Sequence, residues 1–236
     1  MINNKKFITE IKPLVSLTMG TEHMSPLLYS LIKFVRPHRL LEIGSGLSTI
    51  YILAALKELY ELEKKEYNGN QTNFNLNFKN KEYYKHNKPE FILHSFDNYI
   101  HPHSNANKVQ KIADKLKLNK YLKLWNTDYR NINKCLNNQE KFDFIWCDCG
   151  GLENYLTQEE LLFPMLSERP GSYIIFHSTL TNVHGLAFLN QLKLKIYQGQ
   201  LPGFELVSLF EPHKLQQNSC TIIRKSKEVS IYTERP

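Results

Sequence analysis

The sequence predicts an α/β fold, a Rossmann-like seven-stranded and mostly parallel sheet with helices on both faces and an antiparallel C-terminal strand pair. Apolar, strand-like segments alternate with helical segments from residue 39 to about residue 197. Five strand-like segments end in polar or small residues, as expected where a ligand binds at the carboxyl edge of a parallel sheet. The last two strand-like segments lie close together in the chain, which favours an antiparallel pair at one edge.

The elements follow in order along the chain. Residues 25–36 predict a helix, with Ser25 as its N-cap and Pro26 as its first residue. Five parallel strands are predicted at HRLLEIG, EFILHSFD, YLKLWNTD, KFDFIWCDCG and GSYIIFHST. The helices between and after them are predicted at LSTIYILAALKELYELEKK, NANKVQKIADKLKL, INKCLNN, NYLTQEELLFPML and NVHGLAFLNQLKLKIYQ. FELVSLF and SCTIIRKS close the chain as the antiparallel pair.

The length of 236 residues suits one domain, residues 1–236, with a sizeable core. Residues 1–38 are expected to form a helical segment over the ligand site. The distance along the chain from Gly44 to Asp97 exceeds the roughly 30 residues that a strand–helix–strand step usually needs. The excess predicts an Asn- and Lys-rich surface insertion at about residues 63–88.

The composition indicates a cytoplasmic protein with reduced cysteines. No apolar run is long enough to span a bilayer, and the N-terminus lacks the apolar core of a signal peptide. Four cysteines in a chain of this length do not make a disulfide framework. The net charge of +7 permits binding to anions, including nucleic acid, but a solvated lysine-rich surface explains it more simply.

The stretch LLEIGSGLST combines a strand end with a glycine turn and the start of a helix. Gly44 and Gly46 permit a tight turn and the close approach of a ligand. The N–H groups of the next helix favour an anion, yet the third glycine of a dinucleotide fingerprint is absent. Glu42 would repel a phosphate but would suit a ligand that carries an ammonium group.

Five motifs in order, LLEIGSGLST, FILHSFD, LWNTD, FDFIWCDCGG and LSERPGSYIIFHST, resemble those of the class I S-adenosylmethionine-dependent methyltransferases. The resemblance covers about residues 20–225 and is nearest to the catechol O-methyltransferase-like small-molecule subgroup. It implies S-adenosyl-L-methionine as the cofactor, with Asp97 on the ribose hydroxyls, Asp148 at the catalytic mouth, and Asp128 either near the adenine amine or capping a helix. The cofactor-binding residues that it implies are Glu42, Gly44, Ser45, Gly46, Ser48, Thr49, Asp97, Asn98, Asp128 and Asp148.

The same resemblance predicts that no metal is bound at this site. Metal-dependent relatives carry Asp-Asn at the end of the fifth strand, where His177 and Ser178 stand here, so the oxygen ligands for magnesium are incomplete. A transition-metal set of Asp148, His177 and His23 is a weaker alternative. The candidate catalytic residues are His177, Asp148 and His23, and His177 is favoured as the base because the ordinary pKa of histidine lies near neutral pH.

The predicted function is methyl transfer to an oxygen or nitrogen of a small-molecule acceptor. A nucleic-acid (RNA) methyltransferase and a cofactor-binding, non-catalytic protein of the same fold are the alternatives. The fourth motif reads CDCG, which lacks the Asp/Asn-Pro-Pro-aromatic sequence of base-amino methyltransferases and the Pro-Cys of cytosine-carbon enzymes. No membrane partner is expected, and the oligomeric state is left open, with a homodimer as one option.

Overall fold

The structure, a computed structural model, describes residues 1–16, 20–68, 90–137, 139–168 and 171–226. Its strands form one sheet in the order β3-β2-β1-β4-β5-β7-β6. β7 runs antiparallel to both β5 and β6, and the other neighbours are parallel. The strands are β1 (Arg39–Ile43), β2 (Ile92–Asp97), β3 (Leu122–Asn126), β4 (Phe144–Cys147), β5 (Tyr173–His177), β6 (Phe204–Phe210) and β7 (Ser219–Lys225). The predicted fold class is confirmed.

Helices cover both faces of the sheet. They are α1 (Lys5–Ile11), α2 (Thr21–Val35), α3 (Leu47–Asn68), α4 (Ala106–Lys115), α5 (Ile132–Cys135), α6 (Leu152–Leu162) and α7 (Val183–Tyr197). The first four contribute to one apolar core and the last three to the other. Successive strand side chains point to opposite faces, so Trp146 of β4 joins the first core and Ile145 the second.

The predicted start of the first long helix is wrong by one turn. α2 begins at Thr21, after Gly20 in the left-handed conformation (φ 66°), so Ser25 and Pro26 lie inside it. The Ser25 hydroxyl donates to the carbonyl of Thr21 (2.6 Å) instead of capping the helix. Burial of Met24, 3% exposed, favours the extra turn, and Pro26 removes only one helical hydrogen bond.

The predicted insertion falls mostly outside the described residues. Residues 63–68 continue helix α3 to Asn68, and residues 69–88 lie outside the described ranges. The side chain of Glu63 is buried and contacts the ring nitrogen Nε2 of His38 at 3.2 Å. The predicted insertion therefore begins within α3, at a residue whose side chain is buried.

Backbone hydrogen bonds extend the parallel ladder beyond the ends of the strands. The N–H of Gly44 donates to the carbonyl of Phe96 (2.9 Å), and the N–H of Asp148 donates to that of Ile43 (2.8 Å). These bonds hold the segments after β1, β2 and β4 together at the carboxyl edge of the sheet. None of the helices in the described ranges combines the length and apolar character needed to cross a bilayer.

Candidate active site

A cavity of about 770 Å³ opens at the carboxyl edge of the sheet. It lies over the ends of β1, β2, β4 and β5, where the sequence predicted a ligand site. The predicted site residues that line it are Gly44, Ser45, Gly46, Ser48, Asp97, Asn98, Asp128, Asp148 and His177.

Glu42 lies beneath the cavity and does not line it. Its carboxylate is fully buried and accepts hydrogen bonds from the hydroxyls of Ser48 (2.7 Å), Thr49 (2.7 Å) and Ser95 (2.6 Å). Ser48 and Thr49 belong to the first turn of α3, and Ser95 lies on β2. A buried carboxylate is tolerated only where it is hydrogen-bonded, so these hydroxyls join β1, β2 and α3 around one group.

The glycine turn after β1 passes very close to the segment after β4. Gly44 has φ 91°, and a Cβ there would lie 2.7 Å from the carbonyl oxygen of Asp148. Only glycine adopts this conformation without strain and without that clash. At Gly46, in contrast, a Cβ would meet no atom within 4 Å, and the backbone there faces the cavity.

Asp97, at the end of β2, fixes the same turn. Its Oδ2 accepts a hydrogen bond from the N–H of Ser45 (2.9 Å), and its Oδ1 accepts one from the N–H of Tyr99 (2.7 Å). The hydroxyls of Ser45 and Ser95 also contact each other at 2.6 Å. Asp97 is thereby held in one orientation beside the turn, on the lining of the cavity.

Asp128 caps a short helix, which is one of the two roles that the sequence left open, and its contact with adenine stays a prediction. Its Oδ1 accepts from the N–H of Arg130 (2.9 Å) and caps a short turn of 3₁₀-helix, while the side chain lines the cavity. Its Oδ2 accepts from the guanidinium of Arg130 (3.1 Å) and from the amide of Asn98 (3.2 Å). Arg130 also donates to the side-chain oxygen of Asn154 (2.6 Å), which connects this wall of the cavity to α6. Arg130 and Asn154 also line the cavity. They were not predicted as site residues, because neither belongs to one of the five sequence motifs.

Asp148 and His177 form an ion pair at the ends of β4 and β5, with Nδ1 of His177 2.6 Å from Oδ1 of Asp148. The Asp148 side chain is 20% exposed and the His177 side chain 3%. Burial lowers the pKa of His177, but the charge of Asp148 and the hydrogen bond to it outweigh burial and raise that pKa above its ordinary value. Asp148 is therefore the member of the pair that is accessible from the cavity.

Three of the predicted site residues stand apart from the cavity lining. Glu42 and Thr49 lie in the buried network beneath the turn. The His23 side chain, in the first turn of α2, contacts Glu211 and His213 instead of Asp148 and His177. Within the described ranges, no third ligand-type side chain joins the Asp148–His177 pair in a cluster that could hold a metal ion.

Comparisons with known proteins identify the family of the chain and structures that share its fold. A family model described as "Methyltransferase domain" matches residues 41–179. No curated protein sequence matches the chain significantly.

Several solved structures share the fold. An O-methyltransferase from Bacillus cereus, in complex with SAH, is 15% identical with a TM-score of 0.59, over 94% of this chain and 87% of that one. The O-methyltransferase of tomaymycin synthesis from Streptomyces achromogenes, in complex with SAM, is 13% identical with a TM-score of 0.58, over 95% and 91%. An rRNA methylase from Streptococcus thermophilus is 10% identical with a TM-score of 0.52, over 85% and 95%. At these identities the similarity shows a common fold.

The close approach at Gly44 predicts a difference between the two glycines of the turn. Gly44→Ala should lower the free energy of unfolding by about 1–3 kcal/mol, because it introduces both a strained φ and a clash with Asp148. Gly46→Ala, where the added methyl group meets no atom, should change it by less than about 1 kcal/mol. Urea denaturation of both variants measures the difference, and equal destabilisation would show that the turn is not built as described.

The burial of Glu42 predicts that stability depends on pH. Burial raises the pKa of Glu42 from 4.5 to about 7, although the hydrogen bonds from Ser95, Thr49 and Ser48 oppose the shift. The folded chain therefore keeps a proton that the unfolded chain releases, and this group's contribution to stability falls as pH rises from about 4.5 to about 7.

Glu42→Gln removes the titrating group, so the stability of the variant relative to the wild type should improve between pH 5 and pH 8. Urea denaturation at both pH values measures the trend. Glu160→Gln, the same substitution at an exposed position of α6, should show no such trend. A relative stability of Glu42→Gln that worsens with rising pH would contradict the assignment.

Proposed function

Because the chain belongs to the methyltransferase-domain family and is a class I S-adenosylmethionine-dependent methyltransferase, we propose that it methylates an oxygen or nitrogen atom of a small-molecule acceptor. The observation that carries the proposal is the Asp148–His177 pair, which lies on the lining of the cavity beside the glycine turn. An accessible carboxylate in that position can take a proton from a hydroxyl or an ammonium group. The O-methyltransferase neighbours from Bacillus cereus and Streptomyces achromogenes support this class of reaction.

The residues of the cavity fit S-adenosylmethionine. The missing side chain at Gly46 leaves backbone exposed to a ligand, and Asp97 offers fixed carboxylate oxygens to a pair of hydroxyls. The lining carries three carboxylates, those of Asp97, Asp128 and Asp148, which suit a ligand that bears sulfonium and ammonium charges. When bound, this cofactor supplies an activated methyl carbon.

In the proposed mechanism the chain positions the acceptor and removes its proton. Asp148 accepts the proton, since it is the accessible member of the pair. His177 holds the carboxylate in place through Nδ1, so it is a positioning residue. Residues 1–38 contribute Leu14 and Thr21 to the cavity lining, which supports their proposed role as a cover over the site.

The charges of the cavity favour a small molecule over RNA. Among the described residues, Arg130 is the only lysine or arginine of the lining, and Asp128 already pairs with it. Recognition of a nucleic acid depends on several lysines and arginines that contact phosphates. The rRNA methylase neighbour shares the fold, but the cavity lacks a basic surface of this kind in the described part of the chain.

Cofactor binding tests the cavity directly. Isothermal titration calorimetry should show that the protein binds S-adenosylhomocysteine. Asp97→Asn should weaken binding by roughly 10- to 100-fold, because a hydrogen bond to a charged group contributes about 1.5–3 kcal/mol. The control Asp114→Asn changes an exposed aspartate of α4 and should bind as the wild type does. Absence of binding in the wild type, or equal affinity in Asp97→Asn, would refute the proposed cofactor site.

Turnover separates the roles of Asp148 and His177. With an identified acceptor, Asp148→Asn should lower kcat by roughly 10²- to 10⁴-fold. His177→Gln keeps a hydrogen-bond donor for Asp148, so it should lose less activity than His177→Ala, with a pH–rate profile that differs in shape from the wild type. If Asp148→Asn turns over normally while His177→Gln is inactive, His177 is the base itself.

Metal removal tests the prediction that methyl transfer needs no metal, which rests on His177 and Ser178 at the end of β5. Turnover should persist after exhaustive dialysis against EDTA, because a hard cation would lack its oxygen ligands. Calcium-saturated EDTA serves as the control for ionic effects. Activity lost to EDTA and restored by Mg²⁺ would contradict the prediction.

A further inference from the structure

A cluster of ligand-type side chains lies where the first turn of α2 meets the segment after β6. Nδ1 of His23 is 2.7 Å from Oε2 of Glu211 and 3.2 Å from Nε2 of His213, and that Nε2 is 3.6 Å from the same Oε2. His23 and Glu211 are 188 positions apart in the chain. We propose that His23, Glu211 and His213 form a binding site for a transition-metal ion, with zinc as the best fit.

The distances between the three ligand atoms match those between three of the four ligands of a tetrahedral zinc ion. Zinc binds imidazole nitrogen and carboxylate oxygen at about 2.0–2.2 Å, so its ligand atoms lie roughly 3.3 Å from one another. The three atoms of the cluster are separated by 2.7, 3.2 and 3.6 Å, which leaves room for an ion at bonding distance from all three. Two histidines and one glutamate are also a known zinc ligand set, with the fourth position open to solvent.

Hydrogen bonding alone does not satisfy the cluster. A neutral imidazole has one donor nitrogen and one acceptor nitrogen. If Nδ1 of His23 donates to Glu211, it has no lone pair left for His213 at 3.2 Å. If it accepts from His213, it has no proton for Glu211 at 2.7 Å. A single cation satisfies all three atoms at once.

The ligands are well held and accessible from solvent. The N–H of Glu211 donates to the carbonyl of Asn218 (2.6 Å), which fixes the backbone of Glu211 at the end of β6. Glu211 is 15% exposed, and its second oxygen, Oε1, has no hydrogen-bond partner among the described residues. The two histidine side chains are 56% and 61% exposed, so an ion can reach them.

One lysine side chain lies close to the cluster. Lys214 is the nearest cation, with Nζ 3.7 Å from Oε2 of Glu211. It lies closer to Glu22, at 2.8 Å, and it also donates to the carbonyl of Gly20 (3.2 Å). Lys214 therefore weakens the site but has another partner. Two imidazoles with one carboxylate favour zinc and related ions over Mg²⁺ or Ca²⁺, which require mostly oxygen ligands.

The site would join the N-terminal segment to the hairpin of β6 and β7. Thr21 and Gln217, which belong to these two regions, line the cavity. An ion bound here stabilises the folded chain by mass action and holds together the two segments that supply Thr21 and Gln217 to the cavity. The proposed metal site shares no residue with the Asp148–His177 pair. We therefore assign the ion a role in stability and not in methyl transfer.

Zinc binding to the full chain tests the proposal. After removal of metals with a chelator, calorimetry should show saturable binding of one Zn²⁺ ion per chain, and Co²⁺ should give the intense visible absorption of a tetrahedral site. His213→Gln and Glu211→Gln should each weaken Zn²⁺ binding by roughly 10-fold or more. Mutation of a residue that only hydrogen-bonds to a metal ligand already lowers metal affinity by about this factor, and these two variants change the ligands themselves. At the same Zn²⁺ concentration, the Tm of the wild type should rise by more than that of either variant.

His184→Gln, which changes an exposed histidine of α7, is the matched control and should bind Zn²⁺ as the wild type does. Circular dichroism of the metal-free proteins verifies that each variant is folded. The proposal is overturned if the wild type binds no Zn²⁺, or if His213→Gln and Glu211→Gln both bind it with wild-type affinity.

Discussion

A buried carboxylate that must be hydrogen-bonded organises the centre of this structure. Glu42 has no exposed surface, and the hydroxyls of Ser48, Thr49 and Ser95 offset part of the cost of burying its charge. Those hydroxyls come from the helix after the turn and from the neighbouring strand, so satisfying Glu42 fixes both relative to β1. The glycine turn above Glu42 exposes backbone to the cavity. The Glu42 carboxylate beneath the turn needs no hydrogen bond from that backbone, because the three hydroxyls already donate to it.

The register of the sheet fixes the position of the Asp148–His177 pair relative to the turn above Glu42. Gly44 bonds to Phe96 and Asp148 bonds to Ile43, so the ends of β2 and β4 are fixed against the same turn. The Asp148–His177 pair extends the arrangement to β5. The accessible carboxylate of that pair and the acidic lining of the cavity lead to the proposed transfer of a methyl group to a small molecule. The ligand-type cluster of His23, Glu211 and His213 lies outside this chain of contacts and joins the cavity mouth to the hairpin of β6 and β7.

Much of the fold was predictable because local patterns and strand order determine it. The alternation of apolar strands and helices, the late antiparallel pair and the convergence of polar strand ends are all visible in the sequence, and the sheet order confirms them. The start of α2 was wrong because Ser25 and Pro26 carry a helix-start pattern, whereas the burial of Met24 extends the helix by a turn. Contacts between distant segments could not be predicted. Arg130 contacts Asn154, 24 positions away, and the partners of His23 lie 188 or more positions away.

The most direct test of the central claim is a crystal structure of the protein with S-adenosylhomocysteine. The account predicts electron density for the ligand in the cavity over β1, β2, β4 and β5, with its ribose hydroxyls within hydrogen-bond distance of Asp97 and its sulfur facing the Asp148–His177 pair. Density elsewhere on the molecule, or a ribose without a contact to Asp97, would contradict the claim that this carboxyl edge is the cofactor site.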